Sequence, residues 1–340
     1  MRKKWFEVML SPSSRRPACR EIARVSSHAS GCSPVNLNCV ARSSAPSFLP
    51  ETVDEVMDRA CRTVGLDPAN AVMLRLGENM LYQLTSAPAV VRIARNMKHW
   101  DDAEKEVAVA NWLSDQRFPA VQTYGTAHQP IEINGHPITF WRFISGRSAD
   151  IAEAGILGQL LRRLHRLERP AELELPAVQA FGHVSARLEA APIPEADADF
   201  LRHRVLELEQ ELDSLTFELP GAALHGDAHV KNVMIADNGQ AVLIDLEAFA
   251  FGAAEWDLAK TAAETSMGML AERDYSAFVD GYGYDVTTWS GWPVMQAIQQ
   301  VKMISWLAQN VEHSAHLRSE YEKRITTIRT GVLTERWRGA

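Results

Sequence analysis

Between Leu224 and Glu247 the chain sets an aspartate, an asparagine five residues later, and a second aspartate closing an apolar run. The stretches read Leu224-His225-Gly226-Asp227-Ala228-His229-Val230-Lys231-Asn232-Val233-Met234 and Val242-Leu243-Ile244-Asp245-Leu246-Glu247. Residue types in this spacing suit phosphoryl transfer. That reaction asks little covalent help of a protein. It needs a carboxylate to orient the attacking hydroxyl and accept its proton, and oxygen ligands that hold magnesium on the phosphates. An Asp and an Asn on one short loop can aim both groups at one centre, and an Asp at the end of an apolar strand adds an anionic ligand from the opposite side.

The same run resembles the kinase catalytic loop in the His-Gly-Asp form of the aminoglycoside phosphotransferase and choline kinase family. The resemblance implies that Asp227 is the catalytic base and that Asn232 and Asp245 are the metal ligands. It makes Ile244-Asp245-Leu246-Glu247 the counterpart of the kinase Asp-Phe-Gly segment, with Glu247 in the metal or nucleotide shell and His225 holding the loop. Gly252-Ala253-Ala254-Glu255-Trp256-Asp257-Leu258-Ala259 resembles the family's following segment, so Asp257 is expected to support the loop by accepting its backbone N–H groups. The likeness covers roughly residues 51–270. It implies an α+β, bilobal protein-kinase-like fold, with ATP or GTP and Mg2+ as cofactors. The acceptor class stays open among aminoglycosides or other antibiotics, choline-like compounds, and sugars or other metabolites; a resistance role would be fold-level analogy. A kinase-like nucleotide binder without transfer activity is the alternative. A protein kinase would need an Ala-Pro-Glu segment and a long activation loop, and both are missing.

These residues need two sets of elements to position them. From Glu51 a helix with Val53, Val56, Met57, Ala60 and Val64 on one face precedes short strands at Val72 to Leu76, Met80 to Leu84 and Ala89 to Ala94. By the resemblance, Arg75 to Tyr82 forms the hairpin that covers the nucleotide phosphates, with Gly77 and Asn79 at its tip. Arg92 stands where kinases carry a lysine, and its expected partner is Glu106 on the helix Trp100 to Gln116, with Glu104 half a turn away. Ala120 to Ala127 and Pro137 to Phe143 read as two more strands around the turn Asn134-Gly135, and the hinge falls at Trp141 to Gly146, where Phe143 and Ile144 would offer backbone groups to the base. Helices follow over Gly155 to Leu167, Ala196 to Leu215, Glu255 to Leu270, Tyr275 to Gly281 and from Pro293 to the end; His165 reads as a packed helix histidine. The expected division is a disordered leader or a misassigned start over 1–50, a β-rich nucleotide lobe over 51–144 and a helical lobe over 145–340 carrying the catalytic loop and acceptor site.

Composition bounds what this can be. Eight of the 35 Lys and Arg but only two of the 43 Asp and Glu fall in residues 1–50, leaving 27 against 41 and a formal charge of −14 for the rest. The whole chain carries −8, which argues against a general nucleic-acid binder. No uncharged apolar run is long enough for a bilayer. Cys19, Cys32, Cys39 and Cys61 show no zinc-ligand spacing and read as free thiols of a cytoplasmic protein. The acidic excess leads to the expectation of a hydroxylated, cationic small-molecule acceptor, with acids at Glu189, Glu195, Asp197, Asp199, Glu255, Asp257 and Glu264. Trp289, Trp292 and Trp306 offer a rival apolar wall for a macrolide-like acceptor.

Overall fold

The computed structural model describes residues 50–76, 79–125 and 128–339. The leader reading of the first residues and the Gly77 assignment lie outside that range. In the first lobe, helix α1 (Pro50–Thr63) is followed by β1 (Val72–Leu76), β2 (Asn79–Gln83), β3 (Ala89–Ala94), α2 (Trp100–Asp115), β4 (Ile131–Ile133) and β5 (His136–Arg142). The strands form an antiparallel sheet in the order β1-β2-β3-β5-β4. Strand periodicity sorts its faces: Met80, Tyr82, Val91, Ile93, Ile138 and Phe140 pack under the expected face of α1, with Val53, Val56, Met57, Ala60 and the free thiol Cys61. Arg92 lies between Val91 and Ile93 and so points to the opposite side of the sheet, toward α2. There α2 buries Glu106, Val107, Val109, Ala110 and Leu113.

The second lobe begins with β6 (Gly146–Ser148) and α3 (Ala154–Leu164), then α4 (Val184–Ala190), α5 (Glu195–Asp213), β7 (Gly221–Leu224), β8 (Val233–Ala236), β9 (Ala241–Leu243), β10 (Ala250–Ala253), α6 (Glu255–Ser266), α7 (Glu272–Tyr282), α8 (Trp292–Ala308) and α9 (Ala315–Thr330). Two small sheets, β6-β8-β9 and β10-β7, carry the loops that hold the candidate residues. Leu224 ends β7 just before Asp227, a short turn over Val230–Asn232 leads into β8, and Asp245 follows β9. Among the described residues, no helix is long and apolar enough to cross a membrane.

Three sequence expectations need correction. The run from Ala120 is not a strand of the sheet; only isolated bridges occur, Ala120 to Leu243 and Thr123 to Trp141, because its backbone groups are shared between the two lobes. The last helix does not run from Pro293 to the end. It breaks after Ala308 and restarts at Ala315, where the Ser314 hydroxyl caps the Leu317 amide at 3.2 Å; beyond Thr330 the chain folds back to bury Trp337. Helix α4 was not expected, its seven residues being too short to show a period.

Helices α3 and α7 cross at van der Waals contact through glycines. A Cβ at Gly158 would overlap the Phe278 carbonyl oxygen, a backbone atom that cannot swing away, and one at Gly281 would overlap the Gly155 carbonyl. Gly158→Val is therefore expected to destabilise the protein by about 2 kcal/mol or more, read as a lower urea midpoint with an unchanged slope. An unchanged midpoint would show that the helices can separate at no cost.

Candidate active site

The loop after β7 is shaped by one buried carboxylate. Asp257, in the first turn of α6, is 1% exposed. Its Oδ2 accepts the His225 amide at 2.7 Å and its Oδ1 the Gly226 amide at 2.8 Å. Behind it, His165 Nε2 meets Oδ2 at 3.0 Å, and His165 Nδ1 meets the Tyr282 hydroxyl at 2.9 Å. Burial pushes the Asp257 carboxyl up, but the hydrogen bond and charge of His165, the nearby His225 and the Gly226 amide outweigh it and hold the group below its ordinary value. Gly226 has φ +81°, and a Cβ there would overlap the Ala248 carbonyl oxygen, so the turn admits only glycine.

The His225 side chain and the Asn232 backbone join this loop to the one after β9. The His225 ring receives the Asp227 amide on Nδ1 at 3.3 Å, so its Nε2 carries the hydrogen and donates to the Ile244 carbonyl at 2.9 Å. Asn232 Nδ2 donates to the Asp227 carbonyl at 3.0 Å, while the Asn232 carbonyl accepts the Ile244 amide at 2.9 Å. Asp227, Asn232 and Asp245 are thus placed by a closed set of hydrogen bonds. Asp245 itself has φ +65°, a left-handed backbone that aspartate tolerates better than most residues. Its carboxylate is exposed and makes no hydrogen bond or ion pair among the described residues.

The Asp227 side chain is 44% exposed and faces the cleft. Lys260, one turn along α6 from Asp257, is ion-paired to its Oδ1, and His229 Nε2 lies 3.5 Å from its Oδ2. Burial raises the Asp227 carboxyl, yet Lys260 and His229 more than offset this and hold it well below its ordinary value.

Across the cleft Arg92 is paired to Glu106 as expected, and it also reaches Glu247 of the second lobe at 2.7 Å. With its amide turned to satisfy both ends, Asn79 Oδ1 accepts from Arg92 Nε at 3.2 Å and Nη2 at 2.7 Å. Glu106 is 4% exposed; burial pushes its carboxyl up to about 7, against the pull of Arg92 and helped by the charges of Asp245 and Glu247. The pair is therefore buried, unlike an ordinary surface salt bridge. At the hinge, the Phe143 amide donates to the Pro88 carbonyl at 2.9 Å, and Ile144 is half-buried at the junction of the lobes.

The structure therefore brings Asp227, Asn232, Asp245, His225 and Asp257 together in one lobe, faced by Arg92, Asn79 and Glu106 from the other, with Glu247 bridging them. Sequence reasoning did not identify Lys260 or His229 as neighbours of Asp227, nor His165 as the partner of Asp257. For Lys260 a signal existed: three residues after Asp257 on a helix, it shares that residue's face.

A family model described as the phosphotransferase enzyme family matches residues 77–298. Among solved structures, the fold is similar to an amicoumacin kinase in complex with AMP-PNP, Ca2+ and Ami, at 15% identity and TM-score 0.64 over 84% of this chain and 97% of that one. It is also similar to a choline kinase from Streptococcus pneumoniae, at 18% identity and TM-score 0.59 over 82% and 99% of the two chains. A microcompartment-associated aminopropanol kinase matches at 16% identity and TM-score 0.62 over 82% and 95%. At these identities the likeness is one of fold, and the fold is the bilobal kinase-like one. A comparison with curated proteins finds no match.

Asp257 generates a stability prediction with a sign. Removing it leaves two buried amides unpaired, so Asp257→Ala is expected to cost roughly 3 kcal/mol at neutral pH. Because the folded-state value lies below the ordinary 3.8, this contribution is present above 3.8 and is lost as pH falls through the folded value. Urea melts at descending pH should show the gap between the parent protein and the variant closing in that acid window. A gap that stays constant to the lowest pH would mean the carboxylate's charge plays no part.

Proposed function

The chain belongs to the phosphotransferase enzyme family, and from that premise we propose that it is a small-molecule kinase. It transfers the terminal phosphate of ATP or GTP to an acceptor hydroxyl, with Asp227 as base and Asn232 and Asp245 as magnesium ligands. The observation that supports this reading is the closed ring of hydrogen bonds through His225, Asp227, Asn232 and Ile244, which ties the Asp227 loop to the backbone next to Asp245.

The chemistry of the donor set fits a hard cation. Asn232 spends its amide nitrogen on the Asp227 carbonyl, which leaves its Oδ1 to coordinate, and Asp245 presents a carboxylate with no protein partner among the described residues. Two oxygen donors of this kind suit magnesium, which takes its remaining ligands from phosphate and water. When bound, magnesium would neutralise charge building on the phosphate oxygens.

The protein's own groups account for the remaining steps. Asp227, kept ionised by Lys260 and His229, orients the acceptor O–H and takes its proton. The acceptor oxygen forms the new bond to the γ-phosphorus as the bond from that phosphorus to the β,γ-bridging oxygen breaks, and the nucleoside diphosphate leaves. Arg92, held by Glu106, Glu247 and Asn79, presents a fixed cation to the nucleotide phosphates. Phe143 and Ile144 border the base.

ADP release over a panel of hydroxylated compounds tests the reading. Asp227→Ala should retain nucleotide binding while turnover falls about a hundredfold to ten-thousandfold. Asp245→Ala should fall to background even at saturating nucleotide, since a charged ligand of the metal is gone. A fully active Asp227→Ala enzyme would remove this mechanism and leave nucleotide binding without base-assisted transfer.

A further inference from the structure

The ground beside Asp227 is cationic, although the chain as a whole is acidic. Lys260 of α6 is paired to Asp227. Lys302 of α8 lies close enough to feel the charges of Lys260, Arg187, Asp227 and Asp257, is only partly accessible, and makes no side-chain hydrogen bond or ion pair among the described residues. Arg187 of α4 is also half-buried, and its guanidinium has no hydrogen bond or ion pair among the described residues. Helices α4 and α6 both pack on α8, so the segment bearing Lys302 lies against the two that bear Arg187 and Lys260.

Several of the acids named from the sequence are engaged elsewhere. Glu195 and Asp199 pair with Arg202 at 3.0 and 2.5 Å, and Asp197 with Arg329 at 2.7 Å. Glu255 accepts the Glu218 and Leu219 amides, each at 2.7 Å, and Asp257 lies under the catalytic loop. Glu264, one turn beyond Lys260, is a further acid in this neighbourhood besides Asp227 and Asp257. Burial raises its carboxyl against the pull of Lys260, His229 and Lys231, which weakens it as a counter-charge.

A partly buried ammonium without a counterion, repelled by two neighbouring cations, is costly in the protein alone. Burial, then Lys260 and Arg187, hold the Lys302 ammonium below its ordinary value, with Asp227 and Asp257 opposing. A bound anion removes that cost, and the place where it binds adjoins the proposed base.

Resting on the phosphotransferase reading above, we propose that the acceptor is an anionic hydroxylated molecule whose carboxylate or phosphate docks on Lys302 and Arg187 while its hydroxyl faces Asp227. The cationic acceptor expected from net charge gives way to one chosen by the local field. The two cations determine specificity, and Lys260 positions the base.

The test uses the full chain and matched compounds: gluconate against glucose, glycerol 3-phosphate against glycerol, and ethanolamine as the cationic member. Calorimetric titration in the presence of a non-hydrolysable nucleotide analogue reads binding, and ADP release reads transfer. The expected result is at least tenfold tighter binding of one anion than of its neutral partner. Lys302→Met and Arg187→Met should each reduce that ratio about tenfold, and Lys302→Glu should turn the preference toward ethanolamine. Gluconate against glycerol 3-phosphate separates a carboxylate site from a phosphate site. Anions that bind no better than their neutral partners, or a preference indifferent to all three substitutions, would overturn the proposal. Selective anion binding without ADP release from any compound would instead count against the transfer reading while upholding the anion site.

Discussion

A carboxylate withdrawn from water holds this site together. Asp257 occupies the first turn of α6, where the helix end favours negative charge, and turns both oxygens to consecutive amides of the loop it faces. A buried charge of this kind is tolerable only when fully hydrogen-bonded. His165 completes the set and is itself fixed by Tyr282. From that anchor the order propagates outward through His225 and Asn232 to Ile244, and so to the backbone of Asp245. The groups that face the cleft are left exposed enough to react because the groups behind them are not.

How much of this could be read from the sequence depended on sequence distance. Asp227, Asn232 and Asp245 were recognisable because their cooperation rests on short spacings within loops and strand ends. Arg92 was recognisable because the family resemblance marks its strand position, and Glu106 followed as the partner from its place on the next helix. Lys302 and Arg187 carry no such signal, since α8 and α4 are distant from Asp227 in the chain and only packing sets α8 against both α6 and α4. The run from Ala120 misled for a different reason: alternation shows that a segment is extended, not which sheet its hydrogen bonds serve. The break at 309–314 was hidden because apolar residues continue on both sides of it.

Charge shows the same contrast between sum and place. A formal −14 beyond residue 50 describes the surface, where acids lie in ion pairs with Arg202 and Arg329. The field inside a cleft is set by the few groups that line it with little water between them. Here Lys260 and Lys302 come from α6 and α8, helices that pack on each other.

The segment from Pro119 to Tyr124 works as a mechanical strap. Val121 N–H reaches the Leu243 carbonyl at 2.8 Å and Leu243 N–H the Pro119 carbonyl at 2.9 Å, both in the second lobe. The Gln122 carbonyl accepts Arg142 N–H, and Tyr124 N–H donates to the Phe140 carbonyl, each at 2.8 Å and both in the first lobe. The strap and the covalent passage at 143–145 are reinforced by a shared core, in which Val107, Ala110, Leu113 and Trp141 of the first lobe lie in one buried cluster with Leu157, Leu243 and Phe249 of the second. Any movement of one lobe against the other must disturb backbone hydrogen bonds and close-packed apolar contacts together. Across the cleft, the ion pair of Arg92 with Glu247 adds a charged tie to that apolar one.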